Sequence, residues 1–281
     1  MFKEIKFTKM VASGNDFILV LAHEYFDVSF KTLARKICDR KFGVGADGLL
    51  IVHRPRKHAA DVQMRIFNSD GSEARMCGNG ARCAAFWASI KPLAWKLHSR
   101  MINNEVVMST KAGMIRAEIQ ADVVKVRLTD PKHLKLDIPV KLHGRTLRVN
   151  FVNTGVPHAV VFVSGLDDID VDTLGRQIRM HPKFQPEGTN VDFVEVTGEK
   201  DIRVRTYERG VEGETLACGT GSVASALITG LKIKSMGARP FAVHTRSGEI
   251  IKVYFTPGKN TFRDVWLEGK VRIVYKGVYY V

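Results

Sequence analysis

No stretch of the 281-residue chain approaches the roughly 20 consecutive apolar residues of a membrane span. The opening MFKEIKFTKMVASGNDF has no apolar run long enough for a secretory signal. The expectation is a soluble cytoplasmic protein with no membrane partner. Cysteine is scarce: Cys38, Cys77, Cys83 and Cys218 are the whole complement of four, far below the density of a secreted disulfide scaffold, so reduced thiols are expected. No zinc knuckle is present, because Cys77 and Cys83 are separated by five residues rather than two to four. Neither of the Gly-rich turns at 77–80 and 218–221 carries the Lys-Ser/Thr of a P-loop, and neither matches G-x-G-x-x-G. Neither a metal nor a cofactor is therefore expected. The formal charge of +14 raises the question of nucleic acid, but no block of five or six like charges and no aromatic-basic RNA motif occurs, so the excess reads as a solvated surface with weak polyanion affinity at most.

What is present is β-structure. Apolar or alternating runs recur at IKFTKM, FILVLA, LLIVH, VQMRIF, VVKVRL, LRVNFV, AVVFV, VDFVEV, IRVRTY, IIKVYF and RIVYKGVYYV. Helical patterns are fewer. Ser29 is placed to cap FKTLARKICDR, and a second helix begins at Val171 or Asp172. Two further runs, ARCAAFWASI and SVASALITGL, are small-residue helices apolar on most sides, a composition that suits a helix enclosed by other structure. Each follows a Cys-Gly-X-Gly corner, MCGNGARC at 76–83 and ACGTGSV at 217–223, about half a chain length apart. The pattern predicts an α+β protein of two similar domains, each a mixed sheet or barrel wrapped around one central helix, with the active site in the cleft between them. The predicted boundary lies near residue 120, giving domains 1–120 and 121–268, with a C-terminal strand at about 269–281 returning to the first. No Pro/Gly/Ser-rich linker marks it.

Glycines at a strand-to-helix corner allow a tight turn and let a ligand approach main-chain N–H groups. The first turn of a helix leaves those groups unpaired and carries about half a positive charge, which suits an anion. The same field favours a thiolate, so a cysteine there is expected to titrate below the usual value of about 8.5. Two such thiols meeting across a cleft have the geometry to move a proton from one face of an α-carbon to the other. Helix N–H groups from both sides then stabilise the enediolate. A cytosolic disulfide and a zinc site fit poorly, and phosphate binding fits weakly. Cys38 and Cys83 lie within helices and read as buried core thiols.

The words SGNDF, FGVGADGLLIV, RIFNSDGSEARMCGNGARCAA, TGVPHAVVFV, PEGTNVDFVEV and YERGVEGETLACGTGSVASA, in that order, closely resemble the diaminopimelate epimerase family. The resemblance implies a pyridoxal-phosphate-independent interconversion of LL- and meso-diaminopimelate, in lysine and peptidoglycan precursor biosynthesis, by a homodimer. It implies that Cys77 and Cys218 are the acid/base pair and that His158 and Glu208 assist them. It assigns the distal end of the substrate to Asn15, Asn68, Asn190, Glu208 and Arg209. The backbone of Gly78, Asn79, Gly219 and Thr220 would meet the reacting carboxylate. Two positions depart from the family pattern. Val156 stands where many members have Asn before the Pro-His pair, and Gly48 stands where some have Gln. The same scaffold is shared, by resemblance, with cofactor-independent proline racemases and phenazine-biosynthesis-like isomerases. A proline racemase-like enzyme is thus the nearest alternative, and a basic polyanion-binding protein with structural cysteines is the alternative from another class.

Overall fold

A computed structural model describes residues 4–22, 29–55, 59–91, 104–142, 144–236, 239–259 and 261–281. The chain divides into two compact units, Met1–Val126 with Gly269–Val281, and Arg127–Glu268. The first unit opens with β1 (Glu4–Ala12), β2 (Asn15–Leu21), α1 (Phe30–Ile37), β3 (Gly48–His53), β4 (Val62–Asn68) and β5 (Glu73–Ala74). It continues with α2 (Gly78–Ile90), β6 (Glu105–Thr110), β7 (Gly113–Gln120) and β8 (Val123–Arg127). Then come β9 (Lys132–Leu142), β10 (Arg145–Asn153), β11 (Pro157–Phe162), α3 (Val171–Arg179), β12 (Asn190–Val196), β13 (Asp201–Glu208) and β14 (Gly213–Thr215). The last elements are α4 (Gly219–Lys232), β15 (Phe241–Thr245), β16 (Ile250–Gly258), β17 (Thr261–Lys270) and β18 (Arg272–Tyr280).

The two units are wired identically. In the first, β18, β1 and β2 are antiparallel neighbours, β2 runs parallel to β3, β3 antiparallel to β4, β4 parallel to β6, and β6, β7 and β8 close as an antiparallel meander. In the second, β9, β10 and β11 are antiparallel, β11 is parallel to β12, β12 antiparallel to β13, β13 parallel to β15, and β15, β16 and β17 follow antiparallel. The short strands β5 and β14 hang off β4 and β13 at matching places. A duplicated unit thus accounts for the repeated Cys-Gly-X-Gly corner.

Each unit packs two helices on opposite faces of its sheet. Ser29 caps α1, accepting a hydrogen bond from the Thr32 amide, and α1 turns Leu33, Ala34 and Ile37 inward onto Ile5, Phe7, Ile18, Val20, Leu49, Ile51 and Phe67. The equivalent α3 is capped by Asp170 and sets Val171 and Ile178 against Val149, Ala159, Val161, Val191, Phe193 and Tyr207. Burial of each such side chain stabilises by about 1.5–3 kcal/mol. On the other faces, α2 contacts β1, β2, β3, β4, β6 and β7, while α4 contacts β10, β11, β12, β13, β15 and β16. Both are buried along almost their whole length. They are the enclosed helices that small residues permit.

Candidate active site

In the first unit the chain leaves β5, turns, and enters α2 with Cys77 in the N-cap position, where extended backbone angles (φ −144°, ψ 124°) point its sulfur back at the helix. Sγ accepts from the Gly80 amide at 3.4 Å. One turn in, Asn79 donates from Nδ2 to Asn15 Oδ1 at 2.5 Å, and its own Oδ1 accepts from the Arg82 guanidinium at 2.6 Å. Asn15 in turn donates from Nδ2 to Asp47 at 3.1 Å. Arginine can only donate and a carboxylate only accept, so the two ends of this chain fix the orientation of both amides. Asn15 keeps one N–H and one lone pair for a further partner. Arg82 is fully buried and also reaches Ser13 Oγ and the Lys270 carbonyl. At the foot of the network, Asp16 pairs with Lys9 and Arg40. Despite partial burial, these partners hold its carboxyl at about 2. Asn68, at the end of β4, is exposed and donates to Ser72 Oγ at 2.9 Å.

The second unit repeats the corner between β14 and α4, with Cys218 at the N-cap. Its sulfur lies 3.4 Å from the Thr220 hydroxyl, which is 2.9 Å from His158 Nε2. His158 is wholly buried on β11, and its Nδ1 is 2.8 Å from Asp192 Oδ2. The other carboxylate oxygen of Asp192 accepts from Thr206 at 2.8 Å. Asn190 lies beside His158, with Nδ2 3.4 Å from Nε2, while its Oδ1 accepts the Arg209 amide at 2.8 Å. The Arg209 guanidinium donates to the Glu187 carbonyl. Glu208 accepts from Thr215 at 2.7 Å, and burial raises its carboxyl above the ordinary value.

The helix field does not win at Cys218. Burial, followed by the carboxylates of Glu208 and Asp192, pushes this thiol well above its usual value, against the opposing pull of the Thr220 hydrogen bond. The expectation of a lowered value at this helix start is therefore wrong for Cys218, because loss of hydration and two nearby carboxylates outweigh half a helix charge. Cys38 and Cys83 are buried, and burial raises Cys38 to about 12.

Within the first unit the structure joins Cys77, Gly78, Asn79 and Asn15, whereas Asn68 bonds to Ser72. Within the second it joins Cys218, Gly219, Thr220, His158, Asn190, Glu208 and Arg209. Asp47, Arg82, Asp192, Thr206 and Thr215 were not anticipated from the sequence. The signals were a charged residue inside the apolar words VDFVEV and GARCAA. Gly48 has a structural reason: a Cβ there would lie 2.9 Å from the Phe67 carbonyl oxygen. Val156 is half-buried and its carbonyl accepts the Thr154 amide. Among the described residues no group of three or more His, Cys, Asp or Glu is disposed to hold a metal, and no helix is long and apolar enough to cross a membrane.

Comparison with known proteins settles the family. A profile described as diaminopimelate epimerase matches residues 7–134 and 150–273. The chain belongs to the diaminopimelate epimerase family. It is accordingly an enzyme of the isomerase class. The diaminopimelate epimerase of Aquifex aeolicus is 41% identical, with 97% of each chain covered. That of Archaeoglobus fulgidus is 46% identical over 80% of this chain and 81% of its own. Among solved structures, a Bacillus anthracis phenazine biosynthesis protein of the PhzF family superposes with a TM-score of 0.74 at 18% identity, covering 99% of this chain and all of the other. A probable proline racemase from Agrobacterium radiobacter gives 0.69 at 15% identity, with coverages of 97% and 92%. At such identities these likenesses establish the two-domain fold alone.

Proposed function

We propose that the chain interconverts LL- and meso-diaminopimelate without a cofactor, with Cys77 and Cys218 as the acid/base pair. The observation that carries this reading is the duplication. Two identically wired units each place a cysteine at the N-cap of an enclosed helix, behind a Cys-Gly-X-Gly corner. On this reading one thiolate takes the α-proton, the other thiol gives a proton to the opposite face, and configuration inverts. The α-hydrogen of an amino acid is weakly acidic, so the developing enediolate needs donors already in place. The first-turn amides of Gly78, Asn79, Gly219 and Thr220 are suited to that task. His158 and Glu208 assist the thiols.

At the distal end, Asn15, Asn68, Asn190, Glu208 and Arg209 would read the second ammonium-carboxylate centre. Asn15 and Asn190 are held in place by other bonds while retaining donor and acceptor capacity, a preorganised arrangement. The fork of Arg209 suits a carboxylate. The reading includes a place in lysine and peptidoglycan precursor synthesis, and a cytoplasmic homodimer.

A proline racemase-like activity is the second reading, because such a protein shares the fold. Proline has no second charged centre to engage the distal set. The test is to supply the purified enzyme with LL-diaminopimelate and with L-proline and to titrate it with a polyanion. Turnover of the first alone is expected. Racemisation of proline alone, or polyanion binding with neither turnover, would overturn the reading. Light scattering checks the dimer.

A further inference from the structure

The two units can be matched residue by residue from their strand registers. His158 sits opposite Asn190 as Phe17 sits opposite Gly48, and Asp192 sits opposite Thr206 as Leu50 sits opposite Ile66. Thr206 in turn sits opposite Thr215 as Ile66 sits opposite Ala74. The helix starts agree with this matching. A Cβ added to Gly80 would meet Leu50 at 3.1 Å and Ile66 at 3.2 Å, while one added to Gly221 would meet Asp192 at 2.3 Å. The layer beneath the cysteine-capped helix is therefore Phe17, Leu50, Ile66 and Ala74 in one unit. In the other it is His158, Asp192, Thr206 and Thr215. The fold accepts an apolar layer here, so the buried His158, Asp192 and Thr206, with the half-buried Thr215, are not demanded by packing, and burying polar groups costs free energy unless they are paired.

Resting on the epimerase reading, we propose that Asp192 is a positioning residue that holds His158 as the acceptor of a proton relay from Cys218 through the Thr220 hydroxyl. The hydrogen-bond directions follow from the chemistry of each group. Thr206 donates to one carboxylate oxygen of Asp192, and the other accepts from His158 Nδ1–H. In the neutral ring that leaves Nε2 bare, facing the Asn190 amide donor 3.4 Å away as well as Thr220. Thr220, 2.9 Å from Nε2, donates its single hydroxyl proton there and is left to accept the S–H proton of Cys218 at 3.4 Å.

When the thiol gives up its proton to Thr220 Oγ1, the hydroxyl proton passes to His158 Nε2. The products are a thiolate, an unchanged threonine and an imidazolium held by the Asp192 carboxylate. The two bonds of Thr220 then point the other way, His158 Nε2–H donating to its oxygen and its hydroxyl donating to the sulfur, while His158 Nδ1–H and Thr206 still donate to Asp192. The thiol is buried beside the Glu208 and Asp192 carboxylates, and this route carries its proton on to an acceptor inside the protein. Below α2 the matching places are held by the apolar side chains of Phe17, Leu50 and Ile66.

The test has a spectroscopic and a kinetic arm. In uniformly 15N-histidine-labelled enzyme at neutral pH, with the His158 signals assigned by loss in His158→Gln, the neutral ring is expected to carry its proton on Nδ1. An Nε2-protonated ring in the wild type would overturn the relay and needs no variant to fold. In Asp192→Asn, kcat for LL-diaminopimelate is expected to fall at least about tenfold with KM changed less than about threefold. Thr220→Val should lose turnover similarly, and Thr220→Ser should recover most of that loss. Unchanged kcat in Asp192→Asn, or Thr220→Ser as impaired as Thr220→Val, would overturn the proposal. Absence of wild-type turnover with an Nδ1-protonated His158 would instead defeat the epimerase reading and leave the ring geometry standing.

Discussion

The helix starts of the two units share backbone path, strand wiring and a capping cysteine, yet they differ in what lies beneath. Under α2 the layer is apolar, and polarity is displaced to the side, into the Arg82–Asn79–Asn15–Asp47 chain. Under α4 polarity runs directly below the helix through Thr220, His158, Asp192 and Thr206. Cys77 is half-buried and bonded to a backbone amide, whereas Cys218 is buried and bonded to a hydroxyl. Duplication of a fold thus preserves a position while its electrostatic surroundings diverge. Two thiols that look alike in sequence sit in unlike surroundings.

Exchanging the layers gives the largest expected effects. Leu50→Asp places an uncompensated carboxylate beneath α2 and should cost about 3–5 kcal/mol in chemical denaturation. The reciprocal Asp192→Leu leaves His158 and Thr206 without their acceptor and should cost about 1–3 kcal/mol. If Leu50→Asp were as stable as wild type, the apolar reading of the first unit would be broken. The glycines sharpen the contrast at smaller scale. Gly221→Ala forces a methyl against the Asp192 carboxylate and should cost about 1–3 kcal/mol. In Gly80→Ala the contacts are ends of flexible side chains, and the helix-propensity gain of about 1 kcal/mol offsets them, so its melting temperature should stay close to wild type. Equal losses in the two variants would break the matching.

Much of this architecture was legible in the sequence because local signals carry it. Apolar runs marked β1 to β4 and β10 to β13, Ser29 announced α1, and the Cys-Gly-X-Gly corners announced both enclosed helices. Several strands escaped, among them β6, β7 and β15, and in two others the local composition argues against a strand. β9, KHLKLDIPVKL, is mostly exposed and contains a proline, and β17, TFRDVWLEGK, mixes charge with its inward residues. The polar layer was unreadable for a different reason. Asp192 meets His158 across 34 positions of chain, and only the register between parallel strands brings them together. A lone Asp in VDFVEV cannot announce that partner.

The pH response should divide along the same line, with the smallest effects. Asp16 is held at about 2, below the ordinary 3.8, so its stabilising contribution is present above 3.8 and is lost as pH falls toward 2. Asp16→Asn should flatten the stability profile in that window. Glu208 is raised, so stability is greatest below its ordinary 4.5 and declines as pH climbs through the folded value. Glu208→Gln should remove that decline. Denaturation curves collected from pH 2 to pH 8 for wild type and both variants read both slopes, and interchanged windows would contradict the assignment.

The proposed two-thiol epimerisation is tested most directly by following LL-diaminopimelate in deuterium oxide with wild type, Cys77→Ala and Cys218→Ala. The wild type should form meso product carrying one deuterium at the inverted centre. Neither variant should invert configuration, at a loss of at least about a thousandfold, because a single remaining thiol reaches only one face. Near-wild-type inversion by either single variant would show that one cysteine suffices and would contradict the account.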